Sequence, residues 1–187
     1  MADLKLLALD QDDLGIISAH MQDSVFRVGE LSYDARHRQF TAVVNRFVWE
    51  EADRGRKGYE RRRSVISFKR VEAVRSMGIN RQDAEGVYCL LAIRFEQKGE
   101  GPDGTIELTL AGGAAISLDV ECIEVQMLDT GGAWATERLP AHPADSVTQA
   151  ARNFQGDLRR GNLAGSAIRG LRGAVFRLSL DEAGGFR

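Results

Sequence analysis

Cysteine, proline and histidine are all scarce in this 187-residue chain, with two, three and three copies. Two cysteines cannot build a disulfide framework, and Cys89 and Cys122 both lie in alternating apolar segments. They are expected to be small buried hydrophobes in a reducing cytoplasm. A metal centre needs several converging ligands, yet each histidine has an ordinary setting. His20 lies near a helix end, His37 in a charged turn and His142 between prolines. The one close pairing, His20 with Asp23, has no third ligand in view, so no metal site is expected. Long hydrophobic runs are missing too: the short apolar run after Lys5 turns acidic at Asp10. Neither a signal peptide nor a membrane span is expected, which places the protein in the cytoplasm with no membrane partner.

Catalytic signatures are equally thin. No serine or cysteine occupies a G-x-S-x-G elbow, and nothing marks a histidine and a carboxylate as partners for Cys89 or Cys122. Glu50 and Glu51 are adjacent, which on a strand end points them to opposite faces and works against joint acid/base chemistry. GEGPDG and LAGGAA both precede strand-like sequence where a phosphate-binding loop would open a helix, so both read as turns. No cofactor is implied, and an enzyme of unrecognised type stays open only as a third reading.

The chain does contain enough to fold. Its composition, 43% hydrophobic and 28% charged, is that of an ordinary globular domain, and this length buries a core without disulfide or metal. The net charge of −2 is uneven: residues 141–187 carry seven arginines against four acids. Leu4–Leu9 reads as a first strand or extended arm. Asp10 then caps a helix whose buried stripe is Leu14, Ile17 and Met21. VFRVGELSY, a DARHR turn and QFTAVVNRFVWEE read as a β-hairpin. SVISFKRVEAVRSMGI reads as a strand with a bulge between Phe68 and Val71. VYCLLAIRFEQ, with Val87, Cys89, Leu91, Ile93 and Phe95 on one face, pairs back through KGEGPDGT onto IELTLAG. In AAISLDVECIEVQMLD the alternation restarts out of phase at Ile123, which predicts a corner near Glu121 and Cys122 in one long strand.

Six or seven strands and one early helix predict an α+β fold: a strongly curved antiparallel meander or partial barrel, of pleckstrin-homology-like kind, with the helix covering it. Residues 1–142 form this domain. Residues 143–187 form a C-terminal extension with a helix at about 146–160, where Ser146 and Gln149 make a capping box and Gly161 follows Arg159 and Arg160. Beyond it the chain is Gly-rich.

The densest chemistry is NRFVWEEADRGRKGYERRRSVISF, with Arg54, Arg56, Lys57, Arg61, Arg62 and Arg63 inside ten residues. Together with Tyr59 they form a candidate interaction patch on a basic loop that could touch an acidic protein or phosphates. The plainer reading is a solvated hairpin loop kept soluble by charge, partly neutralised by Asp53 and Glu60. The expectation is a non-enzymatic interaction module with a protein partner. A nucleic-acid-associated protein using the loop at 54–63 is the alternative.

LKLLALDQDDLGIISAHMQDSVFRVGELSY, RFVWEE and IELTLAGGAAISLDVECIEVQMLD together resemble a family of small uncharacterised alphaproteobacterial proteins, catalogued as a domain of unknown function. The resemblance covers approximately residues 4–142 and implies no activity.

Overall fold

A computed structural model describes residues 3–52, 59–136, 140 and 176–177. In chain order its elements are β1 (Lys5–Ala8), α1 (Gln11–Met21), β2 (Ser24–Arg27), β3 (Leu31–Asp34), β4 (Gln39–Phe47), the single turn α2 (Trp49–Ala52) and β5 (Tyr59–Phe68). Then follow β6 (Val71–Met77), β7 (Val87–Gln97), β8 (Gly104–Leu110), β9 (Ala115–Val120), β10 (Val125–Thr136) and the two-residue β11 (Phe176–Arg177). The expected helix at 146–160 lies outside the described residues.

The strands form one curved, open antiparallel sheet in the order β1-β10-β5-β4-β2-β7-β8-β9-β6-β11, with β3 also paired to β4. Among the described residues the fold is therefore mostly antiparallel sheet with one substantial helix near the N-terminus, as expected, but richer in strands and less simply connected. Meander order holds in β3-β4-β5 and again in β7-β8-β9; elsewhere sequence neighbours part company. β5 and β6, read from sequence as one bulged strand, lie in opposite halves of the sheet. The chain turns between them at Arg70, whose φ is +58°. The predicted corner at Glu121 and Cys122 is real, but it separates two strands, β9 and β10.

Helix α1 begins as its sequence dictates. The Asp13 N–H donates to Asp10 Oδ1 at 2.8 Å, and Leu14, Ile17 and Met21 are buried. That stripe packs on β7, β1 and β4. It is joined to the sheet by the Ile93 N–H donating to Ser18 Oγ at 2.8 Å.

Cross-strand rows show how the core is built. Phe40, Phe68 and Val125 face one another across β4, β5 and β10, and the next inward row is Ala42, Ile66 and Met127. In the other half Leu108 opposes Ile93 and Ile116, while Leu118 opposes Ile106 and Val74. All are buried in one continuous cluster with the α1 stripe. In β7 a bulge between Leu90 and Ala92 changes which residues face in. Leu90 and Ile93 are buried there, whereas Val87 is 65% exposed, which corrects the expected single apolar face. Cys89 and Cys122 are half-buried instead of buried.

The expected VFRVGELSY arm is broken in two. A 3₁₀ turn at Val28–Glu30 separates β2 from β3. It is held to the loop before β7 by Val28 N–H to Gly86 O at 3.0 Å and Gly29 N–H to Ala84 O at 2.9 Å. β3 alone completes the hairpin with β4. β2 instead runs four residues along β7 and touches β4 at one pair, Val25 with Asn45.

Candidate functional site

The basic stretch is not all loop. β5 starts at Tyr59, so Tyr59, Arg61, Arg62 and Arg63 are strand residues, while Arg54, Arg56 and Lys57 lie outside the described residues. Successive strand side chains point to opposite faces. That alternation divides the arginine triplet: Arg62, with Ser64, Ile66 and Phe68, points inward, and Tyr59, Arg61 and Arg63 point outward.

On the inner side the cross-strand rows turn polar beyond Ala42 and Ile66. The next row is Val44, Ser64 and Asp129, followed by Arg46 opposite Arg62. Arg46 is 1% exposed and Asp129 3%. A buried guanidinium is tolerable only if its donors are satisfied by charged acceptors. Arg46 Nε and Nη2 donate to the two Asp129 oxygens, each at 2.8 Å, and Nη1 and Nη2 donate to Glu50 at 3.1 and 2.8 Å. The Ser64 hydroxyl donates to Asp129 Oδ1 at 2.6 Å, and the Leu4 N–H donates to Oδ2 at 3.1 Å. Arg62 completes the group, with Nε donating to Glu60 at 2.6 Å and Nη1 lying 3.6 Å from Asp3 and 3.9 Å from Asp129.

Burial pushes the Asp129 carboxyl upward, but the bonds from Arg46 and Ser64 outweigh it and hold it at about 2. Glu50 follows the same logic: burial raises it, and Arg46 brings it below the usual carboxylate range. Glu50, read from sequence as a charged strand end, sits in α2, and His20 Nδ1 lies 3.6 Å from its Oε2. This network ties β1, β4, β5, β10 and α2 together. No sequence motif announced it, because its members are contributed by strands distant in the chain; the only signal was polar residues at core parity in β4, β5 and β10.

On the outer side Arg61 replaces a missing ladder rung. Its Nη1 donates to the carbonyls of Asp23 at 3.2 Å and Asn45 at 3.1 Å, spanning the gap where β2 leaves β4. The guanidinium also lies 5.9 Å from the centre of the Phe47 ring, which Trp49 and Tyr59 pack against. Trp134, opposite Arg61 on β10, is 42% exposed.

Between β2 and β4 the single bridging pair leaves a cleft of about 440 Å³ lined by Val25, Phe26, Arg27, Glu30, Asn45, Arg63 and Val87. Arg63 Nη2 donates to Glu30 Oε1 at 2.7 Å, and Arg27 lies 3.1 Å from Glu85. The other Glu30 oxygen accepts from the Arg27 N–H at 3.1 Å, capping the 3₁₀ turn. Asn45 Oδ1 is enclosed with no hydrogen-bond partner among the described residues. Of the patch expected from sequence, then, the structure places Arg63 at this cleft, Tyr59 and Arg61 beside it, and Arg62 on the opposite side of the sheet. Val25, Glu30 and Asn45 were missed, because only the departure of β2 from β4 assembles them.

Among the described residues no three His, Cys, Asp or Glu side chains are grouped to hold a metal ion, and no helix is long and apolar enough to cross a membrane. Residues 4–142 match a family described as "Protein of unknown function (DUF2948)". No curated protein and no solved structure matches the chain.

Proposed function

For a chain that belongs to the DUF2948 family, whose activity is unassigned, we propose a non-enzymatic interaction module that docks a protein partner on the outer face of β5 and β10. The observation that carries this is the placement of Trp134, 42% exposed, on the same face as the exposed Arg63. Tryptophan and arginine are enriched where protein partners bind tightly, because each offers a large contact area with a directional polar handle. The underlying strands are tied together from within by the Arg46 network, which favours a preformed docking face. On this reading the curved sheet with its covering helix is a pleckstrin-homology-like scaffold acting in a reducing cytoplasm, where Cys89 and Cys122 remain unpaired.

An affinity pull-down from cells making the protein at native level, with the wild type and a Trp134→Ser/Arg63→Glu double variant side by side, tests it. A partner held by the wild type and released by the double variant is expected. No protein above background, or equal retention by both, would overturn the reading.

The two aromatic residues flanking Arg61, Tyr59 and Trp134, also suit base stacking beside a cation, which supports a second reading as a nucleic-acid-associated protein. Its signature is binding of single-stranded RNA or duplex DNA that collapses between about 50 and 200 mM salt as counterions are released.

A further inference from the structure

The cleft between β2 and β4 makes the partner's chemistry specific. We propose that it binds an extended peptide segment carrying an acidic side chain, with the Asn45 amide pairing to the peptide backbone and Arg63 exchanging Glu30 for the incoming carboxylate. This deepens the interaction reading and rests on it.

Four features of the cleft converge on that ligand. Its volume of about 440 Å³ falls within the roughly 300–1,000 Å³ typical of sites for small ligands and short segments. Asn45 lines the cleft, and because its Oδ1 is enclosed the group it can offer a ligand is the Nδ2 amide, a donor suited to a peptide carbonyl. Glu30 already marks where a carboxylate sits on Arg63. Its second oxygen is tied to the Arg27 N–H, so Glu30 keeps a partner when Arg63 turns to a ligand. Val25 and the 65% exposed Val87 supply apolar walls for the stem of the acidic side chain.

Charge balance decides against a phosphate chain. Both arginines of the cleft are matched, Arg63 by Glu30 and Arg27 by Glu85. A polyanion would gain little there and would meet two carboxylates. A single carboxylate needs only one arginine and one exchange of partners, and arginine and carboxylate pair well as planar groups.

The test is a nitrogen-labelled NMR titration of the full chain with a pool of acetylated, amidated heptapeptides of random sequence and fixed central glutamate. A matched pool with central glutamine and a six-nucleotide single-stranded DNA serve as comparisons. Expected are shifts of the Asn45 side-chain amide and the Arg63 Nε signals with the glutamate pool, at least about tenfold weaker binding for the glutamine pool, and loss of those shifts in Arg63→Gln. Glu30→Gln, by freeing Arg63, is expected to tighten glutamate-pool binding severalfold, an outcome that a damaged fold would not produce. Equal binding of both peptide pools, no shift with either, weaker binding by Glu30→Gln, or shifts confined to the DNA would each overturn the inference. A partner recovered by pull-down but indifferent to Arg63→Gln and Asn45→Ala would sink the cleft assignment while leaving the interaction module standing.

Discussion

At the scale of single residues, Arg46 and Asp129 are the most consequential pair. Removing one member of a buried pair leaves the other charge uncompensated, which costs about 3–5 kcal/mol. Arg46→Ala is expected to lose that much in a urea denaturation, and Asp129→Asn less, since Glu50 still faces Arg46. The same pair gives the protein an acid limit. The Asp129 carboxyl is held at about 2 in the fold and returns to roughly 4 when unfolded. Because the folded value is the lower one, the stabilisation is fully present above about pH 4 and disappears as pH falls toward 2, amounting to about 2–3 kcal/mol. Stability measured across that window should therefore fall steeply for the wild type and more shallowly for Asp129→Asn. Gly104 is a second sensitive position. A Cβ there would lie 2.4 Å from the Glu96 carbonyl oxygen and 2.5 Å from the Phe95 ring. Gly104→Ala is expected to cost about 1–3 kcal/mol through forced separation of β7 and β8, measurable as a lowered melting temperature.

At the scale of elements, strands with regular alternation were legible from sequence, and those cut by tertiary contacts were not. Asp10, Leu14, Ile17 and Met21 announced α1 because a cap and a 3.6-residue stripe are local properties. The hairpin of β7 with β8 was legible for the same reason. β2 and β3 read as one arm because VFRVGELSY alternates throughout. What breaks it is distant: Gly86 and Ala84 accept from Val28 and Gly29, and Glu30 caps Arg27. Arg61 belongs to this scale, since its guanidinium holds β2 to β4 where backbone pairing stops. Arg61→Ala is expected to cost about 1–2 kcal/mol and to speed amide hydrogen exchange in β2 more than in β8 or β9, because only β2 depends on that bridge.

At the scale of the whole molecule, one basic stretch is divided between two sides of the sheet because a strand has two faces. The composition of Arg61, Arg62 and Arg63 marked a candidate patch, but composition alone could not separate the side chain that turns inward from those that turn outward. Parity could, once Tyr59 is known to begin a strand; the run of charge disguised that start as loop. Inward, Arg62 helps to anchor β5 to β10 beside Asp129; outward, Arg61 bridges β2 to β4 and Arg63 borders the cleft on the face that carries Trp134. The most direct test of this division is urea denaturation of Arg62→Ala and Arg63→Ala measured in parallel. Arg62 is buried among Glu60, Asp3 and Asp129, so its loss should cost about 1–3 kcal/mol. Arg63, exposed and paired only at the surface with Glu30, should stay within about 0.5 kcal/mol of the wild type. Equal losses for the two variants, or a larger loss for Arg63→Ala, would contradict the division of these two neighbours into a buried anchor and an exposed residue bordering the cleft.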